Sequence, residues 1–117
     1  MPLSPPIPQV GAPFKSVPYA ATLQLVQKTN NRVALVGNMT IAPPSGNSDG
    51  ALVYLWLTAN GGGPYNVTLD PAIIVPSTSS FTSPQAVGAN VKVCFVFQYD
   101  AIRNGGQWEL HQFIMGY

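Results

Sequence analysis

Apolar and polar residues alternate along much of the chain with the period of two that a half-buried strand shows. Between Ala21 and Gln27, Leu23 and Leu25 fall on one face and Thr22, Gln24 and Val26 on the other. Lys28–Arg32 reads as a turn, Val33–Ala42 as a second strand interrupted near Gly37-Asn38, and Pro43–Gly50 as a dense turn cluster. Ala51–Thr58 is a third strand. A turn at Asn60–Pro64 leads to a short strand at Tyr65–Leu69, which Asp70-Pro71 ends, and Ile73–Val75 is expected to pair briefly. Residues 77–90, rich in Ser, Thr, Pro and Gly, are expected to form a loop or an irregular edge. Val91–Tyr99 then sets Val91, Val93, Phe95, Phe97 and Tyr99 on one face, and Gln107–Met115 alternates through Trp108, Leu110, Gln112 and Ile114. Two such runs around Asn104-Gly105-Gly106 predict a hairpin. Short strands at regular spacing without a helical period predict an all-β fold, an antiparallel β-sandwich of jelly-roll type, over residues 20–117.

Two features depart from simple alternation. In the third strand Val53, Leu55 and Leu57 suit a core, yet the opposite face carries Leu52, Tyr54 and Trp56. The last strand repeats this duality, with Phe113 and Met115 set against Leu110 and Ile114. A sheet face that meets water should be polar, so the second face is expected to be covered, and one chain of this length predicts a second subunit as the cover. Residues 1–19 differ again. They hold Pro2, Pro5, Pro6, Pro8, Pro13 and Pro18, with Leu3, Ile7, Val10, Phe14 and Tyr19 between them. This pattern predicts an extended, polyproline-like N-terminal arm that docks its apolar side chains on another surface.

Composition narrows the function. Charged residues make up 8% of the chain, against about 25% in an average soluble protein. A net charge of +1 with no basic block argues against nucleic-acid binding. No apolar stretch is long enough to predict a membrane-spanning helix, and Met1–Pro8 has neither the basic nor the apolar region of a signal peptide. So little charge on a small domain predicts a surface hidden against copies of itself or a partner.

The inventory of reactive groups is short. Asp49, Asp70 and Asp100 sit in turn contexts, where the carboxylate bonds backbone, and Glu109 lies in a strand. One cysteine, Cys94, and one histidine, His111, leave no basis for a zinc site. A Cys94–His111 nucleophile pair lacks a third orienting group, and a buried small hydrophobe is the expected role for Cys94. Gly61-Gly62-Gly63 has neither the Lys-Ser/Thr nor the helix of a phosphate loop. No catalytic residue, cofactor or metal is therefore expected. The aromatics Tyr54, Trp56, Tyr65, Tyr99, Trp108 and Tyr117 are candidates for a sugar platform, though their place in strands suits core or interface first.

The string from Asn38 through Pro43-Pro-Ser-Gly-Asn-Ser-Asp-Gly50 runs into Leu52–Thr58 and is followed by Gly62-Gly63 and Val67-Thr-Leu69. Phe95–Asp100, Trp108-Glu-Leu110 and Phe113–Tyr117 close the chain. This pattern resembles a small β-sandwich family of tailed-bacteriophage virion proteins, found in capsid decoration (cement) proteins and in fibre or spike tips, often as trimers. The resemblance spans residues 31–117, without a match over 71–87 and without the arm. It implies a structural virion protein, a homotrimer on the outer capsid surface whose partner is the major capsid protein. On that reading Ile7, Val10, Phe14 and Tyr19 are the candidate capsid contacts, and Tyr54, Trp56, Phe113 and Met115 the candidate trimer interface. The alternative is a receptor- or glycan-binding tip domain of a tail fibre or baseplate.

Overall fold

Period-two alternation does fix the elements, and a computed structural model describes them for residues 13–116. The strands are β1 Phe14–Ser16, β2 Thr22–Leu23, β3 Asn30–Leu35, β4 Met39–Ile41, β5 Leu52–Ala59, β6 Tyr65–Leu69, β7 Gln85–Val87, β8 Lys92–Asp100 and β9 Gln107–Met115. One 3-10 turn, Arg103–Gly105, is the sole helical element among the described residues. The chain is thus nearly all-β. A five-stranded sheet runs in the order β1-β3-β5-β8-β9 and a four-stranded sheet in the order β2-β4-β6-β7.

Both sheets are mixed, which corrects the expected antiparallel arrangement. From β1 to β6 every connection passes from one sheet to the other. Two such passages return the chain to its first sheet in its original direction, so β1, β3 and β5 are parallel, as are β2, β4 and β6. A strand of the facing sheet thereby serves as the crossover that parallel pairing demands. The alternation ends where β7 reverses beside β6 in the same sheet; β8 then returns antiparallel to β5, and β9 stays in that sheet, antiparallel to β8. Four of these seven ladders are parallel, unlike the antiparallel ladders of a jelly roll.

One core joins the two sheets in a sandwich-like arrangement. Val33, Leu35, Val53, Leu55, Leu57, Val93, Phe95, Phe97 and Leu110 enter it from the five-stranded sheet. Leu23, Met39, Ile41, Val67, Leu69 and Val87 enter it from the other. Each such aliphatic or aromatic side chain contributes roughly 1.5–3 kcal/mol when fully buried. Residues 77–90, expected to form a loop or an irregular edge, add Phe81 to the core and include strand β7, and Ile73 ahead of them is buried in the core as well. Phe81 closes a ring cluster with Phe95 and Phe113, whose centroids lie 5.6 and 5.3 Å from its own. Ile74 makes the brief pairing expected of it, donating its N–H to the Trp108 carbonyl and accepting from the Leu110 N–H.

Two local features revise the sequence reading. The first is a register shift in the β8–β9 ladder: Val96 faces Gln112 but Phe97 faces Leu110, so His111 is an extra residue. A bulge of this kind exchanges the faces beyond it. Leu110 and Phe113 therefore both point to the core side, where Phe113 packs against Phe95 at 5.0 Å between centroids, and Ile114 points outward beside Cys94. The second lies at the N-terminal side. Phe14–Ser16 pair with Asn30–Arg32, and Val17 N–H donates to the Arg32 carbonyl. Tyr19 packs against the core and its hydroxyl donates to the Asn38 carbonyl. Residues 14–19, assigned to an arm on their proline spacing, are thus continuous with the sheets. Ile7 and Val10 lie outside the described residues.

Candidate functional site

Residues directly opposite each other in a ladder share a face, so the register maps the side of the five-stranded sheet that points away from the shared core. One row across it reads Arg32, Trp56, Cys94, Ile114 and the next Asn30, Tyr54, Val96, Gln112. Phe14 extends the second row from β1, and Leu52 opposite Gln98 lies beyond it. Thr58 opposite Lys92 bounds the other end. The middle of this face is apolar, and Tyr54, Cys94 and Val96 form a second cluster flanked by Leu52, Trp56 and Ile114.

This second face is not open to water at its centre. Tyr54 and Cys94 are wholly buried within the single chain, and Val96 nearly so. Around them the polar groups are placed rather than scattered. Trp56 Nε1–H donates to Asn30 Oδ1 at 2.7 Å, and Phe14 meets the Trp56 ring edge-on at 5.7 Å. The Arg32 guanidinium sits 4.4 Å from the Phe14 ring centroid, a cation–π geometry. Asn31, on the core side, is buried and satisfied, its Nδ2 donating to Thr29 Oγ1 and to the Tyr54 carbonyl. Among the described residues, the Tyr54 hydroxyl has no hydrogen-bond partner although it is buried.

Burial sets the titration of this cluster. It pushes the Cys94 thiol up from 9.0 to about 12. It also raises Tyr54 from 10.0 to about 12, with the neighbouring Cys94 charge as the smaller cause. A thiol so held is protonated at neutral pH, the opposite of what a nucleophile needs. Both acids ionise earlier in the unfolded chain, so their contribution to stability is full below pH 9 and is lost as pH rises towards 12. Urea midpoints measured from pH 7 to 11 are therefore expected to fall above pH 9. Cys94→Ala is expected to flatten the fall between pH 9 and 10, whereas an unchanged slope would contradict the assignment.

The expected site residues do not converge. Tyr54 and Trp56 share the outward face, but Phe113 packs on the core side and Met115, opposite the core residue Val93, lies on that side too. The four residues taken as a trimer interface therefore occupy two faces, because the bulge at His111 exchanges the parity of the last strand. Tyr54, already buried, has no surface left to offer a second chain. The candidate platform aromatics are dispersed too: Tyr65 belongs to the other sheet, Tyr99 packs on Trp108 at 5.3 Å beside the hairpin, and Tyr117 lies outside the described residues.

The carboxylates hold turns and a hairpin. Asp70 accepts from Ala72 N–H, Asp100 from Ile102 and Arg103 N–H, and Asp49 from Ala101 N–H, while Glu109 pairs with Arg103 at 3.1 Å. Cys94 faces Ile114 across the ladder, and His111 is exposed at the bulge. Among the described residues no group of three His, Cys, Asp or Glu side chains is placed to hold a metal ion. No protein-family model and no curated protein matches the chain.

Proposed function

We propose that the chain is a structural virion protein, a decoration (cement) protein that binds the outer surface of a tailed-phage capsid as a homotrimer. The observation that carries the reading is a pair of sheets built almost without charge: the four carboxylates brace turns and a hairpin, and aromatic and aliphatic side chains fill both faces of the five-stranded sheet. Such a body suits adhesion to a protein shell. The sequence pattern of residues 38–58 and 95–117 supports the same reading through its likeness to phage virion sandwiches. A jelly-roll ancestry is not needed for it.

The contacts differ from those expected from sequence. Phe14 and Tyr19 serve the fold, so capsid contact by an arm rests on residues before them, among them Ile7 and Val10. Trimer contact is assigned to exposed apolar residues rather than to Tyr54; Phe14 and Met115 lie at opposite edges of the five-stranded sheet and are 46% and 42% exposed. Mechanistically, a protein that binds only the assembled shell stabilises it by mass action. The test is co-sedimentation with purified heads of the phage that encodes the chain. Saturable binding to heads but not to unassembled capsid subunits is expected. Light scattering of the free protein is expected to give about 37 kDa, three times the 12.4 kDa chain. Failure to sediment with heads would overturn the reading.

A further inference from the structure

We infer that a recess on the outward face of the five-stranded sheet binds a carboxylate-bearing saccharide of the uronic-acid class. Phe14, Arg32, Trp56, Thr58 and Lys92 line it, and its volume of about 350 Å³ falls within the range of small-ligand clefts, roughly 300–1,000 Å³. The ladders place these groups by register. Arg32 of β3 faces Trp56 of β5, and Thr58, further along β5, faces Lys92 of β8. The two cations thus stand on either side of Trp56 and Thr58. At the usual strand spacing and rise their Cα atoms are roughly 12 Å apart, a gap that two long side chains span with a ligand between them.

Charge singles this recess out. The chain has five lysines and arginines and four carboxylates. All four carboxylates are engaged elsewhere: Asp49, Asp70 and Asp100 accept backbone N–H groups, and Glu109 pairs with Arg103. Among the described residues neither Arg32 nor Lys92 has an acidic partner, and both are exposed. Arg32 is also held in place, its guanidinium 4.4 Å from the Phe14 ring centroid. Phe14 fixes that side chain without supplying an oxygen acceptor, so the fork that pairs with a carboxylate stays available. Trp56 is fixed as well, by its bond to Asn30 Oδ1 at 2.7 Å. Groups ordered before the ligand arrives cost less to order on binding. A carboxylated sugar complements the whole set in one ring. Its carboxylate pairs with Arg32, its apolar C–H face lies against Trp56, and its hydroxyls bond Thr58 Oγ1 and the Lys92 ammonium. A bare anion would leave Trp56 and Thr58 unused.

The inference does not depend on the capsid reading, and its test uses no capsid. The full chain is titrated with trigalacturonate while the indole N–H signals of Trp56 and Trp108 are followed by NMR. A saturable shift of the Trp56 signal, with Trp108 unmoved, is expected at millimolar ligand or below. Arg32→Gln or Lys92→Gln is expected to weaken it about tenfold, the loss of one charge-assisted bond. Maltotriose, which is neutral, and hexaglutamate, which offers carboxylates without a sugar ring, are expected to leave the signal in place. Circular dichroism establishes that each variant is folded; should Arg32→Gln not fold, the exposed Lys92→Gln decides. No shift with trigalacturonate, an affinity unchanged in the folded variants, or an equal response to maltotriose or hexaglutamate would overturn the inference.

Discussion

Phe95→Ala is expected to cost about 3–5 kcal/mol of unfolding free energy, the range for removing a buried aromatic ring. Phe95 is wholly buried at the point where three parts of the fold meet. It stacks on Phe97 with centroids 5.9 Å apart and packs against Phe113 of β9 and Phe81 of the β6–β7 segment. Alanine would leave a cavity bounded by three rings that other contacts fix, so collapse around it is limited. Urea denaturation should show a lower midpoint with an unchanged slope. The loss should exceed that of Phe81→Ala, whose ring touches Phe95 and Phe113 but sits in a connecting segment. A loss below 1 kcal/mol would place the core elsewhere.

Deleting Glu109 is expected to be about as damaging, although Glu109 lies on the face away from the core. With Trp108 kept opposite Tyr99 and Gln112 opposite Val96, closing the gap uses up the extra residue of the bulge: Leu110 turns outward and His111 takes its place opposite Phe97. A lost buried leucine and a buried, unpaired imidazole together predict a cost on the order of 3–6 kcal/mol. Deleting His111 itself closes the bulge and leaves Leu110, Gln112 and Phe113 opposite the partners they already face, so it is expected to cost only about 1 kcal/mol. Equal stability of the two deletions would show that register in β9 is not set by this bulge.

Those two variants also mark what the sequence makes legible. Alternation identifies the inward residues of β5 and β8 because each strand is long and regular, and Val53, Leu55, Leu57, Val93, Phe95 and Phe97 are all buried. The turn between β8 and β9 is legible because Asp100 and the glycines leave the backbone few alternatives. Strand direction is not legible, since a turn at Gly37-Asn38 or Asn60–Pro64 looks the same whether it reverses the chain in one sheet or passes it to the other. The bulge had a signal. Apolar residues at 108 and 110, then at 113 and 115, change parity once, which is what one inserted residue produces. Asn30–Arg32 read as a turn from its polar residues, yet it begins β3, because Asn31 finds its partners in Thr29 and the Tyr54 carbonyl of the neighbouring strand.

The outward face was legible only in part. Leu52, Tyr54 and Trp56 announce a covered surface, but the pattern does not say whether a subunit or the same chain covers it. Full burial of Tyr54 and Cys94 in one chain removes the need for a subunit there. On the proposed reading, adhesion to a shell then falls to other surfaces, and cementing is the claim to test. The most direct measurement is the temperature at which purified phage heads stripped of this protein release their DNA, recorded with and without the added chain. The account predicts a rise that saturates as the chain fills its sites on the shell. An unchanged release temperature at saturating concentration would contradict it.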